Sequence, residues 1–276
     1  MYMQHLAFIL ITDIFYGGPT VLFDTNIYDI FEGMTSISAV IKSIQQNLRG
    51  RTITKILYDK DRTVQKSREL SFLKKKATEL GFVIEPTTAD FISSVTSGDT
   101  HGGIIALCSK CEIPEINVNF LTNGSFYVLL EGIEDPYNFG YSIRSLYAAG
   151  VDGIILPKRN WLEYSGVVAR SSAGTSELAN LAVADTEQAA QLFKDNGFAV
   201  VCAGIRDSVS IYDYDIRKPV LLIVGGEKRG ISRKLLDMAD ANVRIDYGRD
   251  FMGSLPSASA ISVIAFEIAR QKSQKL

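Results

Sequence analysis

Histidine occurs only at His5 and His101. A Ser-His or Cys-His nucleophilic centre would have to run through His101, and no acidic residue is placed to orient that imidazole. His101-Gly102-Gly103 ahead of an apolar run reads more simply as a turn presenting one ring. Cys108-Ser109-Lys110-Cys111 has the spacing of a zinc or redox pair, but zinc takes four ligands. With Cys202 the only other cysteine and no histidine cluster, two ordinary thiols and no metal are expected. Two turns hold more promise. Gly225-Gly226-Glu227-Lys228-Arg229-Gly230 follows the apolar run Val220 to Val224, and Asp135-Pro136-Tyr137-Asn138-Phe139-Gly140 follows Phe126 to Leu130. The first lacks both the Lys-Ser/Thr of a P-loop and the glycine order of a dinucleotide fingerprint. The second opens a helix carrying Arg144. Asn138 can cap that helix or take a positive φ, and a guanidinium two turns in can fork onto a phosphate. By itself the first is a tight turn and the second a capped helix with a surface arginine. Both, however, lie at the carboxyl ends of buried strands, the edge where open α/β sheets bind ligands.

The elements that must hold these turns alternate. Thr35 or Ser36 can start a helix with apolar residues at Ile37, Val40, Ile41, Ile44 and Leu48, ended by Gly50. A strand around Ile53 to Leu57, a helix from Lys66 to Leu80, a strand from Phe82 to Ile84, a helix from Thr88 to Val95 and a strand from Gly103 to Cys108 complete a small α/β unit. Ser109 to Ser125 loses periodicity and has the composition of a linker, placing a boundary near residue 117. Beyond it come strands at Phe126–Leu130, Gly153–Leu156, Phe198–Ala203, Val220–Val224 and Asn242–Ile245. Between and after them, helices are expected at Asn138–Ala149, near Val167, at Thr186–Asn196, from Ser232 and at Ser257–Gln271. Short continuous apolar strands separated by helices imply a parallel sheet covered on both faces. Residues 1–25 are expected to be an extension outside the fold.

The chain has 276 residues, 46% hydrophobic and 22% charged, enough for two ordinary globular domains and incompatible with a disordered or low-complexity protein. Formal charge is only -2, so any polyanion-binding surface must be local. Between Lys42 and Lys76, eleven cations face three acids. That is either a grip on nucleic acid or the solvated face of a helix. Three cysteines and no leader or membrane-length apolar run predict a cytoplasmic protein with no membrane partner.

Taken together, three segments resemble a known family. Asp135 to Asp152, with Ile143-Arg144-Ser145 inside it, is similar to the first motif of the SpoU/TrmH family of SPOUT RNA ribose methyltransferases. Ser172-Ala173-Gly174 resembles its intermediate element, Ile223 to Gly230 its second motif, and Ile245 to Ala260, with Gly253-Ser254-Leu255, its third. The first half, with His101 to Ala106, is similar to the L30e-like RNA-binding domain that precedes many of these enzymes. The resemblance thus implies an α/β chain: an extension (1–25), an L30e-like domain (26–116) and a SPOUT domain (117–276) whose parallel sheet carries a trefoil knot.

It further implies transfer of a methyl group from S-adenosylmethionine to a ribose 2′-hydroxyl in rRNA or tRNA, by a homodimer. Gly225, Gly226, Gly230, Ile245, Ser254 and Leu255 would hold the cofactor. Arg144, Asn138 and Glu227 would serve the reaction, and Arg49, Arg51, Arg62 and His101 the RNA. Since a guanidinium is a poor base, Arg144 is expected to clamp a phosphate and stabilise the hydroxyl as it loses its proton. The third motif departs from the family's usual Ser-Leu-Asn, reading Ser254-Leu255-Pro256. The segment from Ile245 to Leu255 is also one residue longer than the family's usual. The alternative is an RNA-binding or ribosome-assembly protein that keeps the fold with impaired catalysis; an ordinary doubly wound nucleotide enzyme is disfavoured by its missing glycines.

Overall fold

The structure is a computed structural model, which describes residues 27–97, 101–121, 124–158 and 165–273. The expected extension at 1–25 lies outside the described residues. The chain divides into two compact units, one comprising the residues up to Gly33 with Arg51–Lys110, the other Met34–Gly50 with Cys111 onward.

The first unit is a four-stranded sheet in the order β1-β4-β2-β3, formed by Tyr28–Glu32 (β1), Ile53–Asp59 (β2), Val83–Thr87 (β3) and Ile104–Ser109 (β4). Strands β1 and β2 pair antiparallel with β4, and β2 runs parallel to β3. Ser67–Leu80 (α2) and Ala89–Val95 (α3) connect the strands, and Ile92 of α3 packs on Leu57 and Ile105. Strand β1 was not anticipated. Its two acids, Asp29 and Glu32, break the apolar pattern yet are buried, because Arg51 lies 2.7 Å from Asp29 and the Ser97 amide donates to Glu32 at 2.9 Å. A local pattern cannot reveal partners so distant in sequence.

Helix α1 (Gly33–Gln45) was expected in the first domain, but from Met34 onward it groups with the second unit. A Cβ on Gly174, at φ +82°, would sit 2.4 Å from Cβ of Ala39, and Arg49 donates to the Ala179 carbonyl at 3.0 Å. Backbone held this close needs a residue without a side chain.

The second unit is a seven-stranded sheet, parallel throughout, in the order β7-β6-β5-β10-β8-β11-β9. In chain order the strands are Phe126–Glu131 (β5), Gly153–Pro157 (β6), Leu181–Ala184 (β7), Ala199–Ala203 (β8), Val209–Ser210 (β9), Val220–Gly225 (β10) and Ala241–Arg244 (β11). The helices are Pro136–Ala148 (α4), Ser165–Ser171 (α5), Thr186–Asp195 (α6), Arg233–Met238 (α7) and Ser257–Ser273 (α8). Strand β5 shows why its sequence is continuously apolar. Phe126, Val128 and Leu130 enter one core with Ile143 and Ile264, while Tyr127 and Leu129 enter another with Phe193 and Leu221. Alternate residues face opposite layers, and both layers are covered.

Strands β7 and β9 went unread, being four and two residues long. Within the segment of linker composition, Pro114 and Ile116 are fastened to β7: the Ile116 amide donates to Val183 O at 2.9 Å and the Val183 amide to Pro114 O at 2.8 Å. Cys108, Cys111 and Cys202 are buried, and burial pushes the Cys202 thiol up to about 12, so it stays protonated. Among the described residues no metal-binding cluster occurs, and no helix is long and apolar enough to cross a membrane.

Candidate active site

Strand β10 lies at the centre of the sheet between β5 and β8 and runs into the loop Gly225 to Gly230. The Gly230 amide closes that loop onto the Gly226 carbonyl at 2.9 Å. A Cβ on Gly226 would fall 1.9 Å from the Gly132 carbonyl oxygen, so the loops leaving β5 and β10 touch backbone to backbone. Any side chain at 226 would force them apart.

Beside this loop lies a cavity of ≈ 770 Å³ bounded by the carboxyl ends of β8, β10 and β11 and by the start of α8. All six residues expected to hold the cofactor, Gly225, Gly226, Gly230, Ile245, Ser254 and Leu255, line it, as does Glu227. The residues fit S-adenosylmethionine in kind. The volume falls in the range of about 300 to 1,000 Å³ usual for small-molecule sites, and Ile231, Ile245 and Leu255 offer apolar walls beside glycine backbone.

Helix α4 begins with Asp135 as N-cap, its carboxylate accepting from the Asn138 amide at 2.8 Å, and Pro136 follows in the first turn. Asn138 is therefore not the cap that the sequence allowed it to be. Its side chain is free to turn outward, and Nδ2 donates to Glu227 Oε1 at 3.3 Å. The same oxygen accepts from the Ser257 amide at 3.2 Å, and Ser257 Oγ donates to the Gly225 carbonyl at 3.4 Å. Glu227 thus joins the start of α4, the β10 loop and the start of α8, where helix amides favour a carboxylate. A smaller cleft at this junction is lined by Asp135, Asn138, Glu227, Lys228 and Ser257. Further along, Ser262 Oγ of α8 donates to Ser145 Oγ of α4 at 2.7 Å.

Arg144 is not brought into the cavity of its own chain. It is exposed, on one side of α4 with the exposed rings of Tyr137 and Tyr141. Within one chain, Arg144 is therefore not among the residues that line the cavity formed by the expected cofactor residues.

The expected RNA-contacting set is also revised. Arg51 is buried, with its side chain 1% exposed, paired with Asp29 and stacked over Phe31 at 4.7 Å. It is a core residue and cannot meet RNA. Its neighbours in sequence read as a cation run because nothing local distinguishes a buried arginine from an exposed one. Arg49 is half-buried in the second unit. Arg62 is exposed and 3.4 Å from Asp59, whereas His101 uses Nδ1 to accept from the Gly103 amide at 3.0 Å and so holds its own turn. In the first unit, Lys60, Arg68, Lys74 and Lys75 are exposed and form no ion pair among the described residues.

Sequence reasoning missed Tyr247, Arg206, Asp207 and Arg244, all of which line the cavity. Tyr247 Oη accepts from the Leu255 amide at 3.2 Å, and its ring lies 5.7 Å from that of Phe251, bracing the long segment before α8. The one-residue excess of that segment was the only available signal. Arg244 pairs with Asp246 at 2.8 Å and also donates to the Ser208 carbonyl. The Ser210 hydroxyl, then Arg244, holds the Asp246 carboxyl below its usual range.

Residues 125–266 match the SpoU rRNA Methylase family. A Staphylococcus saprophyticus protein assigned to the TrmH family of tRNA/rRNA methyltransferases is 26% identical over 229 residues, covering 81% of this chain and 90% of its own length. The crystal structure of an rRNA methyltransferase from Sinorhizobium meliloti with AdoMet bound is similar at a TM-score of 0.71 and 25% identity, over 89% of this chain and 88% of that one. The SpoU methyltransferase AviRb of Streptomyces viridochromogenes, in complex with AdoMet, shares the fold at a TM-score of 0.71 and 21% identity, over 91% and 92%. With more than half of its length matched and the cavity built from the matching segments, the chain belongs to the SpoU rRNA methylase family.

Proposed function

We propose that the protein transfers a methyl group from S-adenosylmethionine to a ribose 2′-hydroxyl of structured RNA. The observation that carries this reading is the convergence of Gly225, Gly226, Gly230, Ile245, Ser254 and Leu255 on one cavity, next to Glu227. The cofactor supplies a methyl already activated by a sulfonium, so the chain's task is alignment and exclusion of water. The glycine loop and the Tyr247-braced segment hold the donor. Glu227 fixes α4 and α8 around it, and Asn138 is anchored through the same carboxylate. Arg144 clamps the phosphate beside the reacting sugar and stabilises the hydroxyl oxygen as its proton leaves.

Since Arg144 does not line the cavity of its own chain, it serves the cavity of a second copy. Helix α4 exposes Tyr137, Tyr141 and Arg144 at helical spacing, and neighbouring α8 exposes Val263 and Phe266. Such adjoining apolar stripes suit a two-fold interface. The first unit provides the RNA grip through Lys60, Arg68, Lys74 and Lys75.

The test uses purified protein, methyl-labelled S-adenosylmethionine and bacterial rRNA or tRNA. A 2′-O-methyl group removes the nucleophile needed for alkaline cleavage, so label is expected in alkali-stable dinucleotides. Label in mononucleotides would mean base methylation and defeat the ribose assignment. Tight RNA binding with no transfer would instead favour the assembly-protein alternative. Mixing Arg144→Ala chains with Gly226→Val chains should restore activity if Arg144 acts across the dimer; two inactive proteins giving an inactive mixture would refute that arrangement.

A further inference from the structure

Four arginines line the cavity, and they divide into two kinds. Arg233 is neutralised by Asp237 at 2.9 Å, and Arg244 by Asp246 at 2.8 Å. Arg206, in the loop after β8, and Arg229, in the loop after β10, are exposed and form neither an ion pair nor a side-chain hydrogen bond among the described residues. Both belong to the second unit, and strands β8 and β10 are adjacent and parallel, so their carboxyl-terminal loops open on the same rim. Of the acids in the cavity wall, Asp237 is committed to Arg233, Glu227 already accepts from Asn138 and Ser257, and Asp207 makes no ion pair among the described residues.

A pair of uncommitted guanidinium groups at the mouth of a cavity is a site for an oxyanion, because each fork binds two oxygens and the wall desolvates one side of the contact. Exposed apolar side chains adjoin this lining: Ile205, a lining residue next to Arg206, is 63% exposed, and Phe251, whose ring is tilted 5.7 Å from that of the lining residue Tyr247, is 56% exposed. Guanidinium beside aromatic surface matches a nucleotide, with the base on the ring and the phosphate on the arginines.

We propose that Arg206 and Arg229 form a phosphate clamp for the RNA strand at the mouth of the cavity, separate from the cations of the first unit and from Arg144. This inference rests on the reading of RNA as substrate. The other oxyanion of suitable chemistry is the carboxylate of S-adenosylmethionine, and the test separates the two sources.

The experiment measures full-length protein binding to bacterial 23S rRNA fragments and to bulk tRNA across a salt series, for wild type, Arg206→Ala/Arg229→Ala and the charge-reversed Arg229→Glu. Cofactor binding is followed by calorimetry with S-adenosylmethionine and with 5′-methylthioadenosine, which lacks the carboxylate. The clamp predicts at least tenfold weaker RNA binding by the double variant and a slope of log K against log salt shallower by about 1.5, that is about 0.7 to 0.9 per phosphate lost. Arg229→Glu should lose more than an alanine at 229, and S-adenosylmethionine affinity should stay within twofold of wild type. Unchanged RNA affinity and slope would overturn the clamp. So would a selective loss of S-adenosylmethionine affinity with 5′-methylthioadenosine unaffected, which would assign the pair to the carboxylate. Failure of wild type to transfer methyl groups would strike the proposed function alone, since the RNA-binding readout does not depend on it.

Discussion

At the scale of single residues, the site depends on groups whose work is to hold backbone. Tyr247 is the clearest case. Its hydroxyl takes the Leu255 amide and its ring supports Phe251, so one side chain sets the course of the segment between β11 and α8. Tyr247→Phe keeps the ring contact and deletes the acceptor. With a net hydrogen bond worth about 1 kcal/mol, S-adenosylmethionine affinity is expected to weaken about fivefold, with little change in melting temperature. Calorimetry checks this, and an unaltered dissociation constant would show that packing alone holds the segment. Tyrosine at 247 was unmarked in the sequence because the residue it grips is eight positions away across an irregular stretch.

Among the elements, α8 bears most on both site and stability. Its first residue meets Glu227, and near its end the Gln271 side chain accepts from the Ile216 amide at 3.1 Å and donates to the Ile211 carbonyl at 3.3 Å and to Glu267 at 2.8 Å. Gln271→Ala leaves two buried backbone groups unpaired, and a loss of about 2 to 3 kcal/mol is expected in chemical denaturation. Glu267 is 8% exposed, and Arg270, followed by Gln271, holds its carboxyl below the ordinary range. A depressed native value stabilises the fold above the unfolded carboxyl value of about 4.3, and that stability is lost as pH falls through the native value. Glu267→Gln should therefore flatten the acid limb of a stability-against-pH curve while changing little of its shape near neutrality. The helix was legible from its apolar spacing, but the task of Gln271 was not, because it serves irregular backbone after β9.

For the whole molecule, the distribution of charge decides more than its sum. The eleven cations between Lys42 and Lys76 separate by burial into structural and exposed groups. Arg51→Ala would leave Asp29 buried without its partner, and a loss of about 3 kcal/mol is expected in thermal or chemical unfolding. Replacing Arg68, Lys74 and Lys75 together with alanine should alter stability by no more than about 0.5 kcal/mol per site and flatten the salt dependence of RNA binding by about two units of slope. Binding that is equally salt-dependent in this triple variant would remove the first unit from RNA recognition.

The sequence by itself determined the alternating α/β architecture, the long helices and most strands, because each is written in local terms: apolar period, turn glycine and capping residue; the six cavity residues came from the resemblance of its ordered motifs to a known family. Only the tertiary structure decided which arginines are buried, that α1 joins the second unit, that Arg144 is exposed and does not line the cavity of its own chain, and that Tyr247, Arg206 and Arg229 line it. Those outcomes depend on contacts between residues far apart along the chain. A side chain's local sequence fixes its chemistry, but its partner and its exposure to water are set by whichever remote segments fold against it.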